Sequence, residues 1–407
     1  MKILFLTDEF YPKFGANSLL VKTLAEEFVK NKHQVFVMPF AYEQGLSQTE
    51  TWNGIEIVRS IPMDDKKTLL GNLKGCHFVT ALKIGWKFVK QKFLKQEKIL
   101  LKDRIAARKI LEDFIRDNQI DAVISICCSI ELSFPLLYLR KKNKLPCKWI
   151  FYMIDPFESH SYYRGIESVS TLRKIQHDIM ESCDGVAATQ LIYNDTKIWE
   201  SQEILQKIKI IEFPKIKKPI KRECLDGIAF DKEKINVICT GSKNELVRSS
   251  DYTLRLCKYL KDENIVFHFI GNGWCEAEKE ISGNCIFYKE RSHQAIWNIQ
   301  IEADFLLNVG NVVVNQIPSK LLEYISTGKP IINVYKSIDC PTLNLLEDYE
   351  AFHICENENI DNAVKKLKEY VLSSHSGMDF SYIEKQYEIY TPSYVTEQFL
   401  RLLAELT

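Results

Sequence analysis

Residues 315–332 read NQIPSKLLEYISTGKPII, which sets a proline, a serine and a lysine directly before an apolar helical pattern that carries one carboxylate. Pro318 suits a helix start, where its missing N–H would be unpaired anyway, and Gly328 followed by Pro330 ends the helix. The backbone N–H groups of Ser319 and Lys320 would then point out of the helix N-terminus, a natural anion site, and Lys320 would add a full positive charge. Glu323 lies one turn further on among Leu321, Leu322, Tyr324 and Ile325. Two roles are open to it. A carboxylate there can accept hydrogen bonds from both vicinal ribose hydroxyls while the helix end holds a diphosphate. It can also simply be a first-turn glutamate that complements the helix dipole.

A helix end binds anions well when a parallel sheet aims it, and the flanking sequence predicts such a sheet. KILFLT reads as a buried strand, the turn at Gly15 separates it from NSLLVKTLAEEFVKNKH with helical apolar spacing, and QVFVMPF reads as the next strand. That βαβ opening implies parallel strands with a right-handed crossover. The alternation recurs through DAVISICC and KWIFYMI. It breaks over about 212–234, where prolines and charges replace periodicity, and restarts with INVICTG, IVFHFIG, ADFLLNVG and KPIINVY as strands separated by helices. The chain closes on SYVTEQFLRLLAELT, an amphipathic helix with no strand after it.

A length of 407 residues fits two domains, each with its own core. Lys plus Arg and Asp plus Glu both number 54, which removes the electrostatic case for a nucleic-acid partner. The 12 cysteines include the adjacent Cys127 and Cys128 but no C-x-x-C pair, and they read as small apolar residues of a reduced intracellular protein. The opening MKILFLTDEFYP is unlike a signal peptide, and no run approaches the roughly 20 apolar residues of a membrane span. The expected location is cytoplasmic, with any membrane contact peripheral and on the inner face.

IPSKLLEYISTGKPII, with FIGNG and ADFLLNVGN upstream and the opening ILFLTDEFYPKFGANSLLVKTLAEEFVKNKHQV, resembles the retaining glycosyltransferases of the GT-B fold, the group 1 or GT4-like family. The stretch from about 60 to 120 matches little. The resemblance implies an α/β chain of GT-B architecture, two Rossmann-like doubly wound parallel-sheet domains facing across a cleft. Residues 1–213 would form the acceptor-side domain and 214–234 the linker. Residues 235–385 would bind the nucleotide-sugar, and the 386–407 helix would pack back, with the N-terminal domain as a candidate partner.

In that family an E-x7-E signature serves the donor, the second glutamate binding ribose and the first touching the sugar. Glu323 matches the second; the first falls on Asn315, which can hydrogen-bond sugar hydroxyls but carries no charge. The family's diphosphate-gripping Arg and Lys correspond to Lys243 and Arg248, beside Gly241, with the order reversed and one residue late. Arg248 would fork onto two phosphate oxygens and Lys243 would act as a point charge. Gly15 stands at the family's glycine-rich turn, with Ala16 in place of the frequent second glycine. Asp155 and His160, in FYMIDPFESHSYY, fall where the family often presents a histidine to the sugar. The donor set implied is Gly15, Ala16, Gly241, Lys243, Arg248, Pro318, Ser319, Lys320 and Glu323. The catalytic set is Arg248, Lys320, Asn315, His160 and Asp155.

The function implied is transfer of a sugar from a nucleotide-sugar to a glycan or lipid-linked acceptor, with retention, as in cell-surface polysaccharide synthesis. Negative charge grows on the departing nucleoside diphosphate, and fixed cations with N–H dipoles can stabilise it without a cofactor or a metal ion. No D-x-D motif with apolar flanks occurs. From Lys74 to Lys109 eleven Lys/Arg face two acids, Glu97 and Asp103, and are interleaved with apolar residues including Trp86 and Phe93. Such a stretch suits an anionic membrane surface carrying lipid-linked acceptors, or a core-facing helix with a cationic back. Two alternatives share the scaffold: a nucleotide-sugar 2-epimerase, and a catalytically silent binding partner, which Asn315 favours. An NAD-dependent oxidoreductase is disfavoured because DEFYPKFGANS lacks G-x-G-x-x-G spacing.

Overall fold

The computed structural model describes residues 1–39, 41–42, 45–59, 61–62, 97–126, 130–155, 168–195, 201–243, 250–261, 263–311 and 317–406. The chain divides into two compact units, Met1–Pro214 together with Ser393–Thr407, and Lys215–Pro392. Both are parallel-sheet α/β structures.

In the first unit the strands run β1 (Lys2–Thr7), β2 (Gln34–Pro39), β3 (Ala41–Tyr42), β4 (Thr49–Trp52), β5 (Ile55–Val58), β6 (Ile61–Pro62), β7 (Ala122–Ile126), β8 (Lys148–Met153), β9 (Gly185–Ala188) and β10 (Ile208–Ile210). Eight of them form one sheet in the order β10-β9-β8-β7-β1-β2-β5-β4, and β3 pairs with β6 apart from it. The pairings are parallel except for β4 on β5, a hairpin closed by Asn53 and Gly54 at φ 51° and 77°. Positive φ at both turn residues is what a two-residue hairpin requires, and Asn-Gly supplies it at little cost. Ile3, Leu4, Phe5 and Leu6 of β1 are all fully buried, because helices cover both faces of a parallel sheet. The helix Ala16–Lys30 follows β1, and the helix Glu97–Asn118 packs Leu111 and Ile115 into the same core.

The C-terminal helix Pro392–Glu405 buries Val395, Phe399, Leu402 and Leu403 in the first unit's core, with the Phe399 ring edge-on to Tyr152 at 5.0 Å. Residues 214–234, expected as a linker, belong to the second unit from Lys215 onward. The physical reason is specific anchoring: Ile216 is buried, the N–H groups of Lys215 and Ile216 both donate to the Tyr390 carbonyl, and Arg222 N–H donates to Asn298 Oδ1. The chain leaves the second unit after Pro392, beyond the helix Phe380–Gln386.

The second unit has β11 (Ile235–Thr240), β12 (Ile265–Ile270), β13 (Lys279–Ser282), β14 (Cys285–Tyr288), β15 (Phe305–Val309), β16 (Ile331–Tyr335) and β17 (Ala351–Cys355). They lie in the order β13-β14-β12-β11-β15-β16-β17, parallel except for the edge strand β13. The order reverses between β11 and β15, and the carboxyl ends of the strands flanking such a reversal are the usual ligand position in parallel sheets. Of the basic stretch 74–109, the part up to residue 96 lies outside the described residues. Among the described residues no helix is long and apolar enough to cross a membrane.

Candidate functional site

The helix Ser319–Thr327 follows β15, with Pro318 at its N-cap and Gly328 closing it at φ 72°. Its first turn therefore lies at the carboxyl edge of the sheet, beside the reversal point. A hydroxyl fixes it there. Tyr324 OH accepts a hydrogen bond from Thr240 N–H (2.8 Å) and shares another with Thr240 Oγ1 (3.0 Å), while Gln300 Nε2 also donates to that Oγ1 (3.2 Å). The end of β11 and the helix after β15 are thus joined through one buried tyrosine.

The loops after β11 and β12 are packed backbone on backbone. Gly241 N–H donates to the Ile270 carbonyl and Lys243 N–H to the Asn272 carbonyl, and Trp274 Nε1 donates to the Gly241 carbonyl at 2.7 Å. Gly241 and Gly271 take φ of 122° and 148°, and a side chain on Gly271 would run into the Gly241 carbonyl. FIGNG therefore has a local cause: only glycine lets the two loops approach so closely. Lys243 is half-buried in this arrangement.

Glu323 is the unusual group. It is only 6% exposed, and its Oε1 lies 3.2 Å from Lys215 Nζ and 3.8 Å from His293 Nε2. Burial by itself would push the carboxyl up, but Lys215, His293 and Lys320 outweigh it and hold the group far below the ordinary carboxylate range. A glutamate that merely complemented the helix dipole would be solvated and would need no partners on other segments. Lys215 is itself buried at the start of the second unit, and His293 opens the helix His293–Glu302 after β14. That helix start is pinned: Ser292 N–H and Oγ both donate to Asp226, at 2.6 and 2.8 Å. Two segments far apart in sequence therefore converge on the carboxylate of a third.

Of the residues expected from sequence, Gly241, Lys243, Pro318, Ser319, Lys320 and Glu323 lie along this carboxyl edge. Arg248 and Asn315 lie outside the described residues, as does His160. Asp155 and Gly15 belong to the first unit. Asp155 follows β8 at its carboxyl end and is half-buried. Gly15 caps the helix Ala16–Lys30 at φ −89°, so its backbone is not in the left-handed region; a Cβ there would meet only the carboxylate end of the flexible Glu9 side chain. Ala16 opens that helix. The loop before it is held by Arg59, fully buried, which donates to the carbonyls of Tyr11 (2.8 Å) and Ser47 (2.7 Å) and to Glu50 (2.8 Å).

Sequence reasoning missed Lys215, His293, Tyr324 and, in the first unit, Glu212. Glu212 is buried after β10, accepts a hydrogen bond from Gln190 N–H at 2.7 Å, and is pushed up by burial despite that bond. No spacing rule flags Lys215 or His293, because each partners Glu323 only through the fold. One cavity, of about 490 Å³, lies at the opposite, amino edge of the second sheet, between Asp304, Gly328, Lys329 and His375, away from the helix N-terminus. One group among the described residues, the half-buried His177 and Asp178 with the exposed Glu181 in the first unit, has metal-ligand spacing; Asp178 lies 3.4 Å from Lys141 Nζ.

Two parallel-sheet α/β units with the C-terminal helix returned to the first define the GT-B fold. No family model matches the chain, and no curated protein matches it in sequence. Solved structures do match over essentially the whole chain. The lipopolysaccharide outer core galactosyltransferase WaaB in its apo form is 14% identical with a TM-score of 0.57, covering 100% of both chains. Sucrose-phosphate synthase from Thermosynechococcus elongatus is 10% identical with a TM-score of 0.64, covering 100% of this chain and 99% of that one. The UDP-GlcNAc 2-epimerase from Methanocaldococcus jannaschii is 7% identical with a TM-score of 0.53, covering 100% of both chains. The fold is therefore that of GT-B glycosyltransferases, and it is shared with 2-epimerases.

Proposed function

We propose that the chain is a glycosyltransferase that takes its sugar from a nucleotide-sugar bound by the second unit. The observation that carries this reading is Glu323, a buried and ionised carboxylate one turn into a helix whose N-terminus and Lys320 face the carboxyl edge of the sheet. A carboxylate beside an anion-binding helix end matches a ligand with a diol and a diphosphate, which describes a nucleoside diphosphate. Lys320, Lys243, the Ser319 and Lys320 N–H groups and Arg248 would stabilise the charge that grows on the leaving diphosphate. Transfer with retention, independence from metal, a glycan or lipid-linked acceptor and a role in cell-surface polysaccharide synthesis belong to the same reading. So does contact of the 74–109 stretch with an anionic membrane. Asn315, Asp155 and His160 are assigned to the sugar side of the reaction.

The structural likeness to a 2-epimerase supports a second reading in which the same donor is rearranged rather than transferred. Calorimetry with UDP, GDP, ADP and CMP in EDTA, followed by the sugar-nucleotides of whichever base binds, tests the donor site. Product analysis then separates the readings. Sugar appearing on an added acceptor is expected, inversion at the sugar's second carbon would indicate the epimerase, and binding of no nucleotide would remove both.

A further inference from the structure

Lys215 has no place in the donor set read from the sequence, yet it is the closer of the two described ion-pair partners of Glu323. Its backbone is fixed as firmly as its side chain. Lys215 N–H donates to the Tyr390 carbonyl at 2.9 Å, so the residue where the chain enters the second unit is tied to one just before the chain leaves it. From that anchor Nζ reaches Glu323 Oε1 at 3.2 Å, both groups being almost wholly buried. An ammonium so placed takes one lone pair of Oε1 and leaves the remaining lone pairs of the carboxylate as acceptors.

We propose that Lys215 is a positioning residue for recognition of the nucleotide's ribose: it keeps Glu323 ionised and aimed, so that the carboxylate accepts both hydroxyls of the diol. This rests on the donor-site reading of Glu323. Lys215 acts through the carboxylate and does not touch the ligand. Without its ammonium, burial of Glu323 is opposed, among the described residues, by His293 and by Lys320 on the same helix. The carboxyl then takes up a proton, becomes a donor at one oxygen, and can no longer accept from both hydroxyls.

The test compares binding of the preferred nucleoside diphosphate with that of its 2′,3′-dideoxy form in the parent and in Lys215→Met, between about pH 5.5 and 9. Every titration is repeated in a His293→Gln background, because the imidazole faces the same oxygen. The parent should favour the ribose form by about 10- to 100-fold at every pH, the range expected for hydrogen bonds to a charged acceptor. Lys215→Met should bring that preference to within about 3-fold at the acid end and recover part of it at the alkaline end, as Glu323 re-ionises. A preference in the variant equal to the parent's at all pH values would overturn the proposal, and so would tighter binding by the variant, which would make Lys215 a competitor of the ribose. Should the variant fail to fold, the parent decides: a preference that titrates away toward pH 5.5 in the His293→Gln background contradicts a carboxylate held ionised by Lys215. A parent that binds diphosphates with no ribose preference keeps the donor reading and sinks this one. A parent that binds none removes both.

Discussion

Removing Lys215 should destabilise the second unit severely, whereas removing both members of its ion pair should not. At 3.2 Å and an effective dielectric of about 20, the gross attraction between Lys215 and Glu323 is about 5 kcal/mol, most of it offset by the desolvation of two buried ions. Lys215→Met leaves Glu323 buried without the closer of its two described ion-pair partners, so a loss of about 3 kcal/mol is expected, the low end for breaking a buried pair. Lys215→Met with Glu323→Leu removes both charges and fills the space with apolar atoms, and should lie within about 1–2 kcal/mol of the parent. Equilibrium urea unfolding at neutral pH of the parent, the two single variants and the double variant gives the coupling directly. A double variant whose loss equals the sum of the singles, or a Lys215→Met loss below about 1 kcal/mol, would refute the argument.

The pH dependence has a definite sign. Glu323 is held below its unfolded value of 4.5, so its contribution is fully present above that pH and is lost as pH falls toward the native value. The gap between the parent and Glu323→Gln should therefore narrow below about pH 4.5.

Two further predictions concern the frame around the site. Tyr324→Phe leaves Thr240 N–H without its partner in a buried position and should cost about 1–3 kcal/mol, visible as a lower Tm, while weakening nucleotide binding in calorimetry by loosening the helix start. Phe399→Ala empties a fully buried position where the C-terminal helix meets Tyr152, and should cost about 3–5 kcal/mol in urea unfolding without changing nucleotide binding by the second unit.

Local rules in the sequence account for a good part of this structure. Apolar runs such as Ile3–Leu6, between turn signals and helical patterns, read as strands covered on both faces, and Pro318 with Gly328 bounds the helix Ser319–Thr327. The Asn53-Gly54 hairpin was equally legible in principle, since the dipeptide is a strong local turn signal, although its strands lack the long apolar pattern of their neighbours. The place of 214–234 was not legible, because a segment without periodicity reads as a linker whether or not its backbone is pinned to Tyr390 and Asn298.

Sequence alone determined that Glu323 stands one turn beyond a helix start carrying Pro318 and Lys320, because helix geometry and the positions of proline, lysine and glycine are local properties of the chain. Whether that glutamate was solvated or was buried against a cation was decided only by the tertiary structure. Burial and compensation are set by whatever long-range folding brings near. Here that is Lys215, 108 residues earlier in the chain, and His293 from another helix start, neither of which has any spacing relation to Glu323 that a linear reading could detect.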